Sequence, residues 1–561
     1  MQTELIERIR TFSESQPQQL AVTAFEPGIK SLTYREVYYQ AKLLARVLGE
    51  QKKEIDCCFV ISARTTGLAI TITAALAANI PLAIIDHRLG LQRLATILNQ
   101  TSKAIAVVDD LGARILASLS AAYPLQSDLI TLAMDKIIES EIIQTSVSDC
   151  HSSVSEFSAK APIITSQNTS IILFTSGSTG SPKGVCIATE DLTQRLKIEQ
   201  DWFELTNSDT ILGVLPLNFD VGLMQFLGTL WCGGHHILSN SWLPADIVNK
   251  LDQFRCNGLA LSPMVWKSLL GVTGKLNIWQ ALNQLRYVTL SGGALPKAEL
   301  DVIANHLTRC TFIKTYGQTE MFRIASMKVN ESTRSHIESV GRPYPGVKLH
   351  ILDDDGCRCP PGKEGQVVAS GLGRMQGYFA DAGMTNNTLN FSRANDLDSN
   401  DLDSNDLVSN EIDWRVWIAT GDVGYLDDKG YLYLRGRKDD MLKILDQRIF
   451  PDDIARSIAE ILQIKEVYVI NVAKHLNVNT DQQATSIQAH NHISTDKIEL
   501  AAFILMQEVN SLESDIRKKL KAHLASHLVP KHIITLDQFP VTASGKLDKQ
   551  ALKKYWNNTQ A

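Results

Sequence analysis

The chain contains no CxxC pair, and that absence removes the common zinc and dithiol frameworks. Its nine cysteines are scattered. Cys57 adjoins Cys58, and Cys357 is one residue from Cys359, spacings that resemble no zinc knuckle. An odd, scattered count suits a reducing cytosol, so a cytoplasmic location is expected. An excess of one charge is missing too. The 55 Lys+Arg and 61 Asp+Glu leave a net charge of −6, which offers nucleic acid no electrostatic footprint. The N-terminal MQTELIERIRTFSESQ lacks the apolar centre of a signal peptide and sets Leu5, Ile6, Ile9 and Phe12 at helical spacing. The long uncharged run at 65–85, TTGLAITITAALAANIPLAII, is interrupted by Asn79 and Pro81. It reads as a buried helix turning into a central strand, not as a membrane span.

Residues 171–185, IILFTSGSTGSPKGV, are glycine-rich but do not form a Walker loop. That pattern needs Gly-Lys-Ser/Thr, whereas Lys183 follows Pro182 and precedes Gly184. Glycines let backbone N–H groups line a concave nest for oxygens, hydroxyls add donors, and Lys183 adds a point charge. The stretch reads as an anion cradle, with a flexible Ser/Gly surface loop as the alternative.

At 561 residues the chain exceeds one compact core, so two or more domains are expected. Apolar runs at 57–63, 80–86, 104–110, 210–217, 258–263 and 286–293 alternate with amphipathic stretches. This pattern predicts an α/β fold with parallel sheets. Gly/Pro turns and short alternating strands over 340–379 predict a β-rich subdomain, and residues after 440 a small, separate α/β lid. The expected boundary divides 1–438 from 439–561. The repeat NDLDSNDLDSNDLVSN (395–410) lacks EF-hand spacing and reads as a solvated insertion. In the polar stretch 477–497, His490 and His492 alone make a weak metal signal.

Further motifs line up behind the glycine loop: LNFDVGL (217–223), LSGGALP (290–296), YGQTE (316–320), TGDVGYLDDKGYLYLRGRKDD (420–440) and FPVTASGKLDK (539–549). In this order they resemble the adenylate-forming superfamily, which includes adenylation domains of nonribosomal peptide synthetases, acyl-CoA synthetases and luciferases. The resemblance runs from LTYREV (32–37) to SGKLDK (544–549). It implies a large α/β core with a mobile α+β lid and an ATP-dependent activation of a carboxylic acid as its acyl-adenylate. It assigns Thr175, Ser176, Gly177, Thr179 and Lys183 to the β- and γ-phosphates and Glu320 to Mg²⁺. Tyr316 would stack on adenine beside the Gly292–Gly293–Ala294 turn, with Gly317 and Thr319 as further nucleotide contacts. Asp422 would bind the ribose hydroxyls, Arg437 ribose or phosphate, and Lys546 the carboxylate and α-phosphate. Asp439 would be the hinge of the lid.

In amino-acid-activating members the acid of the Phe-Asp pair binds the α-ammonium, and here Phe219-Asp220 match it. Burying an ammonium requires a counter-charge. The other substrate positions implied are Val221, Met224, Met264, Leu290, Gly292, Thr315, Arg323 and Ile324. Most are apolar, which suggests a compact, mainly apolar amino acid. Arg323 either points inward to pair with a side-chain or second carboxylate of the substrate, or outward as a surface arginine. The chain ends soon after Lys546, so the expected acceptor is the phosphopantetheine thiol of a separate acyl or peptidyl carrier protein, with CoA as the alternative. One position departs from the family pattern. Lys443-Ile444-Leu445 is followed by Asp446 where the family has the glycine that lines the thiol tunnel, which puts the second half-reaction in question.

Overall fold

Short β-branched runs, each followed by a helix, build parallel sheets whose central strands are covered on both faces. The computed structural model describes residues 4–26, 28–52, 55–134, 136, 169–175, 182–389, 416–444, 447–464, 466–472, 499–506, 513–541 and 547–559. The chain divides into two units. The first comprises Met1–His350, Val368–Thr420 and Asp427–Leu432, and the second Ile351–Val367, Gly421–Leu426 and Tyr433–Ala561.

In the first unit a seven-stranded sheet runs in the order Gly377–Tyr378, Lys183–Ala188, Thr169–Thr175, Leu82–Asp86, Cys57–Ser62, Lys103–Val108, Asp128–Ala133. Every residue of Cys57–Ser62 is buried, as expected for a strand between two parallel neighbours. The uncharged run at 65–85 is the helix Thr66–Ala78 leading into the strand Leu82–Asp86. The Thr65 hydroxyl caps the helix start by accepting from Leu68 N–H, and Asn79 ends it in the left-handed conformation at φ 52°. Among the described residues, no helix is long and apolar enough to cross a membrane.

The first unit also holds a nine-stranded sheet. Its order is Arg342–Pro343, Met321–Val329, Thr311–Gln318, Tyr287–Leu290, Gly258–Leu261, Thr210–Gly213, His235–Leu238, Leu20–Glu26, Gly28–Thr33. The middle strands are parallel and the outer pairings antiparallel. The run 210–217 is shorter as a strand than the sequence suggests, because extended pairing stops at Gly213. The region 340–379 is rich in strands, but they are dispersed. Arg342–Pro343 joins the nine-stranded sheet and Gly377–Tyr378 the seven-stranded one. Val347–Leu352 and Gly365–Gly371 form a four-stranded sheet with Ile418–Leu426 and Leu432–Arg437.

The second unit contains a three-stranded sheet of Val467–Asn471, Leu500–Leu505 and His532–Leu536. Strand alternation sends Leu500, Ala502 and Ile504 to one face, where Ile454, Ile458, Ile516 and Leu520 cover them. It sends Ala501 and Phe503 to the other face, under Leu552 and Trp556. The amphipathic runs near 452–462 and 512–528 are the helices Pro451–Leu462 and Glu513–His523.

The strand His235–Leu238 carries two imidazoles, His236 buried and His235 half-buried. Burial lowers the pKa of His235 to about 4 and that of His236 to about 3. Both rings are neutral in the folded chain, while the unfolded chain takes up protons below about pH 6.5. Stability is therefore expected to fall as pH drops from about 6.5 towards 4, at about 1.4 kcal/mol per unit of depression. Urea melts at pH 7.5 and 5 check this, and the pH slope should shrink in the His235→Gln/His236→Gln variant.

Candidate active site

The strands Thr169–Thr175 and Lys183–Ala188 pair antiparallel, with Thr175 opposite Lys183. The two described ends of the glycine-rich stretch thus face each other. Ser176, Gly177 and Thr179 lie outside the described residues. The following Gly184 packs where a Cβ would lie 2.9 Å from the Phe379 Cβ and 3.0 Å from an Ile172 methyl, so a larger residue beside Lys183 would displace the hairpin.

YGQTE forms the end of a second hairpin. Thr311–Gln318 and Met321–Val329 pair antiparallel, and Thr319 and Glu320 make the turn. A Cβ on Gly317 would lie 2.4 Å from the backbone nitrogen of Arg323, so only glycine permits this close crossing. Thr315 pairs across the hairpin with Ser326 and Tyr316 with Ala325. The Thr315 hydroxyl is 2.7 Å from that of fully buried Ser291, which ties this strand to the LSGGA turn. There Gly292 adopts φ 83°, while Gly293 and Ala294 are exposed. The turn lies at the carboxyl end of a parallel strand, the usual place for ligands in open α/β sheets.

Residues 373–379 stitch the two hairpins together. Phe322 N–H donates to Gly373 O at 2.8 Å and Met375 N–H to Glu320 O at 2.9 Å. On the other side, Gln376 N–H donates to Cys186 O at 2.9 Å and Phe379 N–H to Gly184 O at 2.7 Å. This strap carries Tyr378, which the sequence reading did not single out. Its hydroxyl donates to Glu320 Oε1 at 3.1 Å, and Lys183 Nζ is 5.7 Å from its ring centroid. Burial and the neighbouring Glu320 raise the Tyr378 pKa well above its usual value, so the phenol stays a donor. Lys183 and Glu320, 137 positions apart in numbering, thus flank one aromatic ring.

Asp220 opens the helix Asp220–Cys232, where the N-terminal dipole favours a carboxylate, and it is buried. Its Oδ1 accepts from Val221 N–H at 2.7 Å. Met224, Leu290 and Ile324 are buried, and Val221, Met264 and Thr315 are half-buried. Arg323 is not a surface arginine. Its Nε and Nη2 donate to the two carboxylate oxygens of Glu199 at 2.6 and 3.1 Å, and Tyr344 OH donates to Glu199 Oε1 at 3.1 Å. The rings of Phe203, Phe322 and Tyr344 lie 5.0, 5.0 and 5.4 Å from the guanidinium carbon. Glu199 also escaped the sequence reading, although a signal for it exists. Asp191, Arg195 and Glu199 recur every four residues along the helix Thr189–Phe203, on the same face as buried Leu192, Leu196 and Phe203. Asp191 and Arg195 form an ion pair at 2.5 Å, and Asp191 Oδ1 accepts from Gly373 N–H at 3.0 Å.

Within the second unit, Asp422 and Arg437 meet, with Nη1 3.3 Å from Oδ1. Asp439 is exposed, 3.9 Å from Arg437 Nη2, and the neighbouring Asp440 accepts from Lys549 Nζ at 2.6 Å. Lys546, Asp446, the 395–410 repeat, His490 and His492 lie outside the described residues.

The family model for AMP-binding enzymes matches residues 9–379, most of the chain. The chain belongs to the AMP-binding enzyme family. Among curated relatives of this AMP-binding enzyme, the D-alanine–D-alanyl carrier protein ligase of Bacillus velezensis is 23% identical over 566 residues, covering 98% of each chain. Enterobactin synthase component F of Escherichia coli is 25% identical over 562 residues, 97% of this chain but 39% of that protein. Among solved structures, ATP-bound MatB from Rhodopseudomonas palustris covers 100% of both chains with a TM-score of 0.75 at 20% identity, a likeness of fold. The mixed α/β architecture is that of the adenylate-forming superfamily, as the motif order implies.

Two substitutions test the packing of this AMP-binding core. Gly317→Ala should destabilise the chain by ~1–3 kcal/mol, because the methyl group meets backbone that cannot step aside. Tyr378→Phe removes one hydrogen bond and should lower stability by about 1 kcal/mol. Urea melts of both variants beside the native chain measure the difference.

Proposed function

We propose that this AMP-binding enzyme activates an amino acid as its aminoacyl-adenylate and passes it to the phosphopantetheine thiol of a separate carrier protein. The observation that carries the reading is the joining of Lys183 and Glu320 around Tyr378, at the mouth of the glycine-loop hairpin. The relatives named as carrier-protein ligases and synthase components support it.

The substrate carboxylate oxygen attacks the α-phosphorus of ATP. The bond from that phosphorus to the bridging oxygen breaks, and pyrophosphate leaves. Thr175 and Lys183, with Ser176, Gly177 and Thr179, hold the β- and γ-phosphates, where negative charge accumulates. Glu320 would hold Mg²⁺, a hard cation suited to a carboxylate oxygen, which would supply neutralisation of the phosphate charge. Tyr316 stacks on adenine beside Gly292, Gly293 and Ala294, with Gly317 and Thr319 near the nucleotide. Asp422 accepts from the ribose hydroxyls and Arg437 supports it. Lys546 bridges the carboxylate and the α-phosphate.

In the second step the carrier thiolate attacks the acyl carbon, the acyl–phosphate bond breaks, and AMP leaves with its electron pair. The residues 439–561 act as the lid that turns about Asp439 between the two steps, against a core of 1–438. Asp220 supplies the counter-charge for the substrate ammonium. Val221, Met224, Met264, Leu290, Thr315 and Ile324 line its side chain. The setting is cytoplasmic and the product enters secondary metabolism.

Amino-acid-dependent ATP–pyrophosphate exchange tests the first step. Exchange with an amino acid, lost in Asp220→Ala, is the expected result. Exchange confined to non-amino acids and indifferent to Asp220 would instead assign an acyl-CoA synthetase, and loading of CoA against a carrier protein separates the acceptors. Lys546→Ala should lower the exchange rate by about 10²–10³-fold while leaving thioester formation from a supplied acyl-adenylate much less affected. Single-turnover kinetics of the two half-reactions measure this.

A further inference from the structure

The helix that Asp220 opens packs against the helix Thr189–Phe203 that carries Glu199, and its Leu223 and Met224 share one core cluster with Phe322, next to Arg323. Asp220 is 6% exposed, and Arg323 and Glu199 are each 5% exposed. The guanidinium offers its Nε and Nη2 to Glu199, and the Tyr344 hydroxyl fixes the same carboxylate. Three aromatic rings enclose it. Its backbone is in the left-handed region at φ 53°, at the point where the hairpin crosses close to Gly317. Burial opposes the charge on Arg323, but Glu199 outweighs it, with Asp220 among the further contributors, and the pKa lies above its ordinary value. The guanidinium is therefore a fixed positive charge that feels both acids.

Two acids against one guanidinium leave one negative charge in this buried set. The next pair along the same helix, Asp191 with Arg195, adds none. Were Glu199 neutral, the Asp220–Arg323 sum would be zero. Near Asp220, a substrate that brings one positive charge suits the first case, and a substrate without one suits the second.

We infer that Glu199 is a specificity-determining positioning residue. By holding Arg323 in a bidentate pair, it keeps the buried set around Asp220 at one net negative charge and so selects acids bearing an α-ammonium over their des-amino counterparts. This rests on the amino-acid reading above and names the residue that enforces it. Glu199 touches neither substrate nor nucleotide in this account and acts through Arg323.

The test is ATP–pyrophosphate exchange with the best proteinogenic amino acid and with its des-amino acid, in the native protein and three variants. Glu199→Gln should cut the amino-acid preference by about tenfold or more. The loss should appear as a raised KM for the amino acid, with KM for ATP unmoved. Arg323→Gln leaves the set at two negative charges and should move the preference the other way. Glu199→Gln with Arg323→Gln restores one negative charge and should restore the native ratio. Removing one partner of a buried pair is strongly destabilising, so the double variant and the opposite sign of the two single variants keep the test sharp if one fails to fold. A native preference that persists in a folded Glu199→Gln variant overturns the proposal alone. So does a double variant that folds and still loses the preference. A native protein with no preference for the amino acid overturns the amino-acid reading and this proposal with it.

Discussion

The strap at 373–379 is the constraint on which the rest of the candidate site depends. Its backbone gives hydrogen bonds to Glu320 on one hairpin and to Gly184 and Cys186 on the other. The two hairpins belong to different sheets, so no local sequence preference brings them together. Once the strap pairs with both, Tyr378 has one place to go, and its ring and hydroxyl serve opposite partners. The isolated bridge between Met321 and Arg374 adds a further rung. Behind the strap, Asp191 fastens Gly373, and Arg195 lies 5.5 Å from the centroid of the Phe322 ring. Lys183 and Glu320 are thus located by main-chain pairing, which tolerates little drift, rather than by long side chains.

Burying Arg195, Glu199 and Arg323 on or beside the helix Thr189–Phe203 is hard to justify as a gain in stability. Desolvation of two ions in a poorly polarisable interior about cancels their attraction, and apolar replacements of equal volume often stabilise. Arg323 sharpens the point. It adopts a positive φ that a bulky residue disfavours, and its Nη1 has no hydrogen-bond partner among the described residues. A residue that carries both burdens beside Asp220 is better explained by what its charge does there than by what it adds to folding.

Much of the fold was legible in the sequence, for physical reasons. Cys57–Ser62 and Leu82–Asp86 are strands because an unbroken apolar run of that length can be buried only between parallel neighbours. The helix Thr66–Ala78 was legible because Asn79 and Pro81 stop it short of a bilayer's width. Isolated strands such as Arg342–Pro343 and Gly377–Tyr378 were not assignable to a sheet. Two residues carry no periodicity, and the pairing partner lies far off in the chain.

The candidate site divides along the same line. YGQTE and LSGGA stand out because a close backbone crossing at Gly317 and a left-handed turn at Gly292 demand glycine, and glycine is visible in a sequence. Tyr378, Glu199 and Tyr344 answer to no such local demand. Each matters only through a partner on another element, and a tyrosine or glutamate that meets its partner reads the same as one that does not. Glu199 came nearest to being legible, since a charge four residues beyond the Asp191–Arg195 pair, on the face of Leu192, Leu196 and Phe203, is left without a helical partner. The partner, Arg323, had been noted for the same reason: a lone charge among apolar positions. Two such anomalies in one chain are best explained by each other, and pairing unexplained charges on apolar faces is a step that sequence reading alone could have taken.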